Sequence, residues 1–373
     1  MTAHRIPSFD LTRQHGRLID ELTAAARGVL HSGRMILGPE VEALEREVAA
    51  LCGVDHAVGV ANGTDGLYLA LRALGVGPGD DVVTTSFSFI ATATSIVRTG
   101  ARPVFADVDP TTLNVGAPEI ERALTPRTRA LVVVHLFGNP AAMDAILNLA
   151  RRRGLLVVED MAQAIGASFQ GRPVGSFGDA AVISFYPTKN LGGCGDGGMV
   201  VTPSGEVAGK VRALRESGQR RRYICEDAAG INSRLDELQA ALLRVKLRHL
   251  EEWTERRRWL ARRYAEGLSG LPSVPVAETS GGVSVYHQFT VRAPRRDELA
   301  AHLAREGIGS TVYYPVPLHE QPGLAAVAFT PSRPVEAERA AGEVLSLPMF
   351  PELEVAEVDE VVESIRRFYA GRA

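Results

Sequence analysis

Between residues 58 and 201 the chain alternates short β-branched runs with helical stretches of ten or more residues, and this alternation constrains its fold most. Strands spaced in this way are typical of parallel β-α-β units, which build one sheet covered by helices on both faces. Sheets of this kind bind ligands beyond the carboxyl ends of their strands. The predicted strands cover residues 82–85, 103–108, 130–135, 155–159 and 181–185.

A long amphipathic segment follows this region. Over residues 233–267, Leu and Val recur at helical spacing with Arg and Glu between them, which predicts a helix that leaves the large domain. After it, a strand over 286–292 and a helix over 296–306 precede a Pro-rich stretch. We therefore predict a large α/β domain with a mainly parallel sheet over residues 1–240, and a linking helix with a small α+β domain over 241–373.

Composition narrows the possible partners. A formal net charge of −3 and a pI near 6.3 give no overall basic field that would attract nucleic acid or an anionic membrane surface, so neither partner is expected. The longest apolar runs, such as residues 130–137, are far too short to span a bilayer, and residues 1–10 lack the apolar core of a signal peptide. We expect a cytoplasmic protein. Its three cysteines are too few and too unevenly spaced for a disulfide framework or a zinc site, and no metal is expected.

Lysine is unusually scarce in this chain. Of the 41 Lys plus Arg residues, only Lys189, Lys210 and Lys246 are lysine. Arginine stays protonated in proteins and cannot form an imine, whereas a lysine amine can do so once its pKa is lowered. Lys210 and Lys246 lie in helical stretches rich in Arg and Glu and are predicted to be solvated. Lys189 is therefore the candidate for amine chemistry.

The first candidate motif is the turn Asn62-Gly63-Thr64, which opens a predicted helix. The free N–H groups and the positive dipole end of such a turn suit a phosphate. An ordinary helix cap at Asn62 or Thr64 explains the same residues, and this motif taken alone favours the cap.

The second candidate motif is the acidic pair Glu159-Asp160 at the end of a predicted buried strand. A carboxylate at the position of Asp160 could bind a pyridinium nitrogen and keep it protonated. A helix cap and a metal ligand are the alternatives, although no further Asp, Glu or His stands nearby at coordinating spacing.

The third candidate motif runs from Ser184 to Asn190 and contains Lys189. It precedes a stretch, residues 192–198, in which five of seven residues are glycine. Such a turn lets the backbone approach a ligand closely, and Ser184 could donate to a phosphate. A surface lysine fits poorly because the chain otherwise uses Arg. The glycines follow the lysine instead of preceding it, so the Walker pattern of nucleotide-binding loops is not met.

Together with Gly230-Ile231-Asn232-Ser233-Arg234, these motifs resemble the DegT-type nucleotide-sugar aminotransferases, which are fold-type I pyridoxal-phosphate enzymes. The resemblance runs in order over nearly the whole chain, from Leu37 to His319. It implies a transaminase that uses pyridoxal 5′-phosphate and forms a homodimer with shared active sites.

The resemblance also implies a role for each matching residue. Lys189 would hold the cofactor as a Schiff base and move protons during the reaction, and Asp160 would pair with the pyridinium nitrogen. Gln163 would bond the phenolic oxygen of the cofactor, and Phe89 would stack on its ring. The groups that would hold the phosphate are Gly63, Thr64, Ser184 and, reaching in from the neighbouring subunit, Asn232.

The residues around the lysine suggest the substrate. Family members that act at the 4-position of the sugar commonly have His where this chain has Tyr186, whereas Ser-Phe-Tyr-Pro before the lysine and Gly-Asp-Gly-Gly after it resemble enzymes that act at the 3-position. We therefore expect transfer of an amino group, from L-glutamate by family habit, to C3 of a dTDP- or UDP-linked 3-keto-hexose. Residues 219–223 either contact the diphosphate or form a solvated loop. Candidate substrate contacts, each of which also fits a packed aromatic or a satisfied histidine, are Tyr186, Tyr314 and His319.

Other functions stay open on the sequence. A 4-keto-sugar aminotransferase would share the candidate residues. A sugar dehydratase of the same fold carries His in place of the lysine, so Lys189 disfavours it, and the intact set of candidate residues disfavours a non-enzymatic sensory relative. An aminotransferase for free amino acids would clamp a carboxylate with an Arg of the small domain, where Arg292, Arg295 and Arg296 are available.

Overall fold

The computed structural model describes residues 5–371, so residues 1–4 of the predicted large domain and residues 372–373 of the predicted small domain lie outside the described residues. Within residues 5–371, no helix is both long and apolar enough to cross a membrane. The helices are α1 (Leu11–Ser32), α2 (Pro39–Cys52), α3 (Gly63–Ala73), α4 (Ala91–Arg98), α5 (Ala117–Ala123), α6 (Met143–Arg153), α7 (Gly205–Arg215), α8 (Glu237–Leu247), α9 (Leu250–Gly267), α10 (Arg296–Arg305), α11 (Val335–Glu343) and α12 (Val355–Ala370). The strands are β1 (His56–Val60), β2 (Asp81–Thr85), β3 (Arg102–Ala106), β4 (Thr128–Val134), β5 (Leu156–Asp160), β6 (Ser168–Phe169), β7 (Arg172–Pro173), β8 (Ala180–Ser184), β9 (Gly198–Thr202), β10 (Gln219–Arg221), β11 (Ile224–Cys225), β12 (Val274–Pro275), β13 (Gly282–Val283), β14 (Phe289–Arg292) and β15 (Val344–Leu347).

A seven-stranded sheet in the order β1-β9-β8-β5-β4-β2-β3 forms the centre of the protein. Strand β9 is antiparallel to both of its neighbours, and the other strands run parallel to one another. The predicted mainly parallel sheet is confirmed, and the five predicted strands match observed strands to within two residues at each end. The antiparallel β9 was not predicted.

Helices cover both faces of this sheet, as the alternation of strand and helix predicts. Side chains on a strand point alternately to opposite faces. On β8, Val182 packs with α3 and α7, whereas the next residue, Ile183, packs with α2 and α8. Adjacent residues of β8 therefore belong to apolar layers on opposite faces of the sheet.

A second, three-stranded antiparallel sheet follows in the order β12-β14-β15. Its apolar core includes residues of α9, α10 and α12, and also Ile6 from the N-terminal segment. The strand predicted over 286–292 begins only at Phe289, because Tyr286 has a φ of +43°, outside the extended region. The division of the chain at residue 240 stays a prediction.

The single helix predicted over residues 233–267 is wrong. Residues 233–235 are not helical, Asp236 is extended and bridges to Ile36, and two helices then follow with a break at Arg248 and His249. The break lets α8 pack on α1 and α2 while α9 packs on α12. Residues 248 and 249 contain neither Gly nor Pro, so the sequence offers no local signal for the break.

The predicted solvation of Lys246 is also wrong, whereas that of Lys210 is confirmed. The side chain of Lys210 is 41% exposed and pairs with Glu206 one turn away on α7, at 2.8 Å. Lys246 is fully buried on α8, and its Nζ lies 2.8 Å from the carbonyl oxygen of Gly192 and 2.9 Å from Nε2 of His15. Burial lowers the pKa of Lys246. The covering helix α1 explains the error, because α1 was not predicted.

Glu237, the first residue of α8, ties two helices together. Its side chain is buried and accepts hydrogen bonds from the backbone N–H groups of Gly38, Glu40 and Val41, at 2.8, 2.6 and 3.1 Å. These are donors at the start of α2 that have no partner within their own helix. A carboxylate at this helix end also opposes the positive end of the helix dipole. Glu237 thus fixes α2 against α8.

We predict that Glu237→Ala destabilises the protein by at least ~3 kcal/mol, because it leaves three buried N–H groups without an acceptor. Urea denaturation at fixed protein concentration would measure the change. The matched control is Glu42→Ala, which removes an exposed glutamate of α2 and should change the free energy of unfolding by no more than about 0.5 kcal/mol. Equal effects of the two substitutions would contradict the assigned role of Glu237.

Candidate active site

The three candidate motifs meet at one edge of the large sheet. Strands β1, β5 and β8 are parallel, so their carboxyl ends lie on the same side. The turn at Asn62 follows β1, Asp160 ends β5, and Ser184 ends β8. The loop after β8 carries Lys189. The sheet topology therefore brings together residues that lie far apart in the sequence.

The turn after β1 is packed directly against the end of β8. A Cβ atom placed on Gly63 would lie 2.9 Å from Cβ of Ser184, and one placed on Gly198 would lie 2.5 Å from the carbonyl carbon of Asn62. Only glycine allows these approaches. Asn62 caps α3, since its Oδ1 accepts from the N–H of Asp65 at 2.8 Å. The N–H groups of Gly63 and Thr64 are in the first turn and have no acceptor within the helix, so a helix cap and free N–H donors coexist here.

Asp160 is buried at the end of β5. Its Oδ2 accepts from the hydroxyl of Thr92 at 2.9 Å, and its Oδ1 accepts from the N–H of Ala162 at 3.2 Å. Burial raises the pKa of Asp160, while these hydrogen bonds and the nearby Lys189 and His135 act to lower it. The carboxylate is therefore held at the edge of the sheet with acceptor capacity left for a ligand.

Lys189 lies in a tight loop. Its N–H donates to the carbonyl of Tyr186 at 2.8 Å, and a Cβ atom placed on Gly192 would lie 2.1 Å from the carbonyl oxygen of Pro187. Burial lowers the pKa of the Lys189 amine to about 8, and the carboxylate of Asp160 opposes this shift. Within the part of the chain that the structure describes, the amine has no hydrogen-bond or ion-pair partner. Lys189 is therefore a half-buried residue whose desolvated amine is available for reaction.

Gln163, Tyr314 and Phe89 form one group above this edge. Oε1 of Gln163 accepts from the N–H of Phe137 at 2.6 Å, and its Nε2 donates to the hydroxyl of Tyr314 at 3.0 Å. The Tyr314 ring lies 6.2 Å from the ring of Phe89, which is 54% exposed. The N–H of Leu318 donates to Ser86 and thereby holds the Pro-rich stretch against the end of β2.

The other three candidate residues, Tyr186, Asn232 and His319, make none of the contacts described above. Tyr186 is 53% exposed, and Asn232 is exposed beside the buried Ser233, whose hydroxyl accepts from the N–H of Ala61 at 3.1 Å. Nε2 of His319 lies 3.4 Å from a carboxylate oxygen of Glu338. The structure therefore leaves the substrate contacts of Tyr186 and His319 as predictions.

Sequence reasoning missed several residues next to the site. Thr92 and Ser95 on α4 donate to Asp160 and to the carbonyl of Thr64 respectively, the latter at 2.9 Å. Nδ1 of His287 lies 3.1 Å from Oδ1 of Asn190, and burial lowers the pKa of His287 well below its ordinary value. The local sequence around these residues gives no sign of a functional role, so only the three-dimensional arrangement identifies them.

Comparison with known proteins identifies the family. The family model for DegT/DnrJ/EryC1/StrS aminotransferases matches residues 17–366. The chain is 47% identical to a dTDP-3-amino-3,4,6-trideoxy-alpha-D-glucose transaminase of Streptomyces venezuelae, over 98% of this chain and 96% of that protein. It is 48% identical to a UDP-N-acetyl-3-dehydro-alpha-D-glucosamine 3-aminotransferase of Acidithiobacillus ferrooxidans, over 98% of each chain.

A solved structure agrees with these relatives. DesV of S. venezuelae, in complex with a ketimine intermediate, matches with a TM-score of 0.95 at 47% identity, over 99% of this chain and 100% of that chain. The predicted fold-type I architecture, enzyme class and cofactor are confirmed. The chain belongs to the DegT/DnrJ/EryC1/StrS aminotransferase family and is a transaminase that depends on pyridoxal 5′-phosphate.

Proposed function

We propose that this enzyme transfers an amino group from L-glutamate to C3 of a keto-hexose linked to dTDP or UDP. The observation that carries the proposal is the desolvated amine of Lys189, which has no hydrogen-bond or ion-pair partner within residues 5–371, beside the buried carboxylate of Asp160. Support for the sugar comes from the two relatives, whose names specify 3-amino and 3-dehydro sugars on dTDP and UDP. Their identity to this chain extends over nearly its full length.

The residues present fit the cofactor. An amine of lowered pKa suits covalent attachment, and a buried carboxylate with acceptor capacity suits a protonated ring nitrogen. We assign attachment to Lys189 and the ring nitrogen to Asp160. When bound, pyridoxal phosphate supplies a ring that accepts the electron pair of the bond broken at the substrate carbon.

We assign the phosphate to Gly63, Thr64 and Ser184. The first two offer N–H groups at the positive end of α3, and the contact between Gly63 and Ser184 puts the serine hydroxyl at the same place. Gln163 uses one N–H of its amide on Tyr314, so its second N–H is available for the phenolic oxygen. Phe89 offers an exposed ring face for stacking.

Lys189 also moves protons in the proposed reaction. An amine with a pKa near 8 exchanges protons readily near neutral pH, so Nζ can take a proton from one carbon and return it to another. No group within residues 5–371 bonds to Nζ, so the side chain can turn between these two carbon atoms. For the sugar and nucleotide we assign Tyr186, Tyr314 and His319. The first of these is exposed next to the lysine loop.

We further propose a homodimer in which Asn232 reaches the phosphate bound by its partner. Asn232 is exposed, and it follows the hairpin β10–β11, whose tip exposes 83% of Tyr223 and 51% of Ile224. Large exposed apolar side chains of this kind mark interaction surfaces.

A cytoplasmic location is also proposed. It is supported by the three cysteines, which are all free, and cell fractionation tests it.

The amino acceptor decides the function. With L-glutamate and pyridoxal phosphate, we expect 2-oxoglutarate to form with dTDP- or UDP-linked 3-keto-hexoses, and not with 4-keto-hexoses or free 2-oxo acids. Lys189→Ala should lower kcat at least about a thousandfold, because it removes both the attachment point and the proton carrier. Lys210→Ala is the matched control and should keep full activity, since Lys210 lies on α7 and pairs only with Glu206 within the described residues. Preference for another acceptor, loss of a hydroxyl from the sugar, or activity in Lys189→Ala would refute the proposal.

The pH dependence of cofactor uptake tests the lysine. Only the neutral amine attacks, so the rate at which the apoprotein combines with pyridoxal phosphate should rise with pH and reach half its maximum near the pKa of about 8. Asp160→Asn should move this midpoint lower, because the carboxylate raises the pKa of Lys189. Stopped-flow absorbance measures the rate. Asp196→Asn, which removes an exposed charge from the same loop, should leave the midpoint unchanged. A midpoint near that of an ordinary lysine, roughly 10.4, would be incompatible with this role.

Mixed dimers test the shared site. Lys189→Ala and Asn232→Ala should each be nearly inactive alone. If Asn232 acts across the interface, a dimer with one subunit of each kind holds one intact site, and random mixing should restore about a quarter of the parent activity. If Asn232 acts within its own chain, mixing restores nothing. Subunit exchange followed by the standard assay distinguishes the two outcomes.

A further inference from the structure

Two buried hydroxyl groups form a short chain that ends on Asp160. Ser88 and Thr92 are 4% and 1% exposed, and their hydroxyl oxygens lie 3.3 Å apart. Oγ1 of Thr92 lies 2.9 Å from Oδ2 of Asp160. Thr92 belongs to the first turn of α4, and Ser88 lies four residues earlier, in the segment between β2 and α4. The proposed mechanism uses neither side chain.

The ionised carboxylate fixes the direction of this chain. A carboxylate without its proton only accepts hydrogen bonds, so the hydroxyl of Thr92 donates to Asp160. The oxygen of Thr92 then accepts, and Ser88 donates to it. Such charge-assisted hydrogen bonds are stronger than neutral ones, and aligned donors strengthen one another. The arrangement therefore favours the anionic form of Asp160.

This donation opposes the effect of burial. Burial raises the pKa of Asp160, and the groups that act to lower it are the N–H of Ala162, the hydroxyl of Thr92, the charge of Lys189 and the nearby His135. Among these groups, Thr92 supplies the side-chain hydrogen bond to the carboxylate. Removal of its hydroxyl should therefore shift the balance toward the protonated acid.

We propose that Thr92 is a positioning residue that keeps Asp160 ionised and oriented, so that the ring nitrogen of the cofactor retains its proton, and that Ser88 orients the Thr92 hydroxyl. This inference rests on the proposed pairing of Asp160 with the ring nitrogen. If the carboxylate became a stronger base, the shared proton would move from the ring nitrogen toward Asp160. The ring would then accept electrons less well.

The same helix fixes the other end of the site. Ser95 lies three residues after Thr92 on the same face of α4 and donates to the carbonyl of Thr64 at 2.9 Å. Thr64 is one of the residues assigned to the phosphate. Helix α4 thus bonds both the carboxylate and the phosphate turn, so the distance between them is set by one rigid turn of helix.

Thr92→Val removes the hydroxyl with little change of shape, and the pH dependence of the bound cofactor's absorbance reports the result. A charged ring nitrogen repels the proton on the nitrogen that joins Lys189 to the cofactor. With the ring nitrogen less protonated, we expect that proton to leave at higher pH, so the midpoint of the absorbance change should rise. We also expect kcat to fall about tenfold. Ser88→Ala should shift the midpoint in the same direction by less.

Two further variants separate this role from a structural one. Thr92→Ser keeps the hydroxyl and should restore the midpoint to that of the parent enzyme. Thr94→Val makes the same chemical change at an exposed threonine of α4 and should leave the midpoint unchanged. A merely structural role for Thr92 would lower the unfolding temperature of Thr92→Val without moving the midpoint.

The outcomes distinguish this inference from the proposed function. If the parent protein does not bind pyridoxal phosphate through Lys189, the proposed function fails and this inference fails with it. If the parent binds normally while Thr92→Val and Ser88→Ala keep its midpoint, this inference alone is overturned. A shift in Thr92→Ser as large as that in Thr92→Val would also overturn it, because the hydroxyl would then not be the cause.

Discussion

The site is built around the buried carboxylate of Asp160 and the desolvated amine of Lys189 at one edge of a mainly parallel sheet. Burial disfavours the charged form of each group, which raises the pKa of Asp160 and lowers that of Lys189. Their mutual attraction works against both shifts. The protonation state of each group therefore depends on the position of the other, and the end of β5 must be fixed relative to the loop after β8. Contacts outside the site help to fix these two segments relative to each other.

Helix α8 supplies much of this fixation from outside the site. At its first residue, the buried Glu237 accepts from the backbone of α2, and near its end the buried Lys246 donates to the carbonyl of Gly192, three residues after Lys189. Glu237 is satisfied by backbone N–H groups, and Lys246 by one backbone carbonyl and the ring of His15, so neither hydrogen-bonds to an opposite charge. Because such bonds depend on main-chain geometry, they hold the lysine loop and the N-terminal helices in one arrangement.

Strands that follow from local sequence patterns could be predicted from the sequence. Features that depend on packing between distant parts of the chain could not. The β-branched runs located the strands, and the ends of β5 and β8 located Asp160 and Lys189, because parallel strands place their carboxyl ends at one edge. The burial of Lys246 depends on α1, some two hundred residues away. Thr92 and the break at 248–249 escaped for the same reason, since their local sequences are ordinary for helices.

Of the two adjacent carboxylates at the end of β5, only that of Asp160 remains available to a ligand. Neighbouring residues of a strand face opposite sides of the sheet. Glu159 accepts from three backbone N–H groups and from Nε2 of His135, whose Nδ1 accepts from the N–H of Ala141 and so leaves the ring proton on Nε2. The three backbone donors belong to Gly175, Phe177 and Gly178. A carboxylate has roughly four acceptor positions, so Glu159 is saturated.

Asp160 receives two donors and keeps acceptor positions open at the edge where the turn after β1 and the lysine loop converge. The alternation of the strand thus assigns one carboxylate to the structure and leaves the other for chemistry.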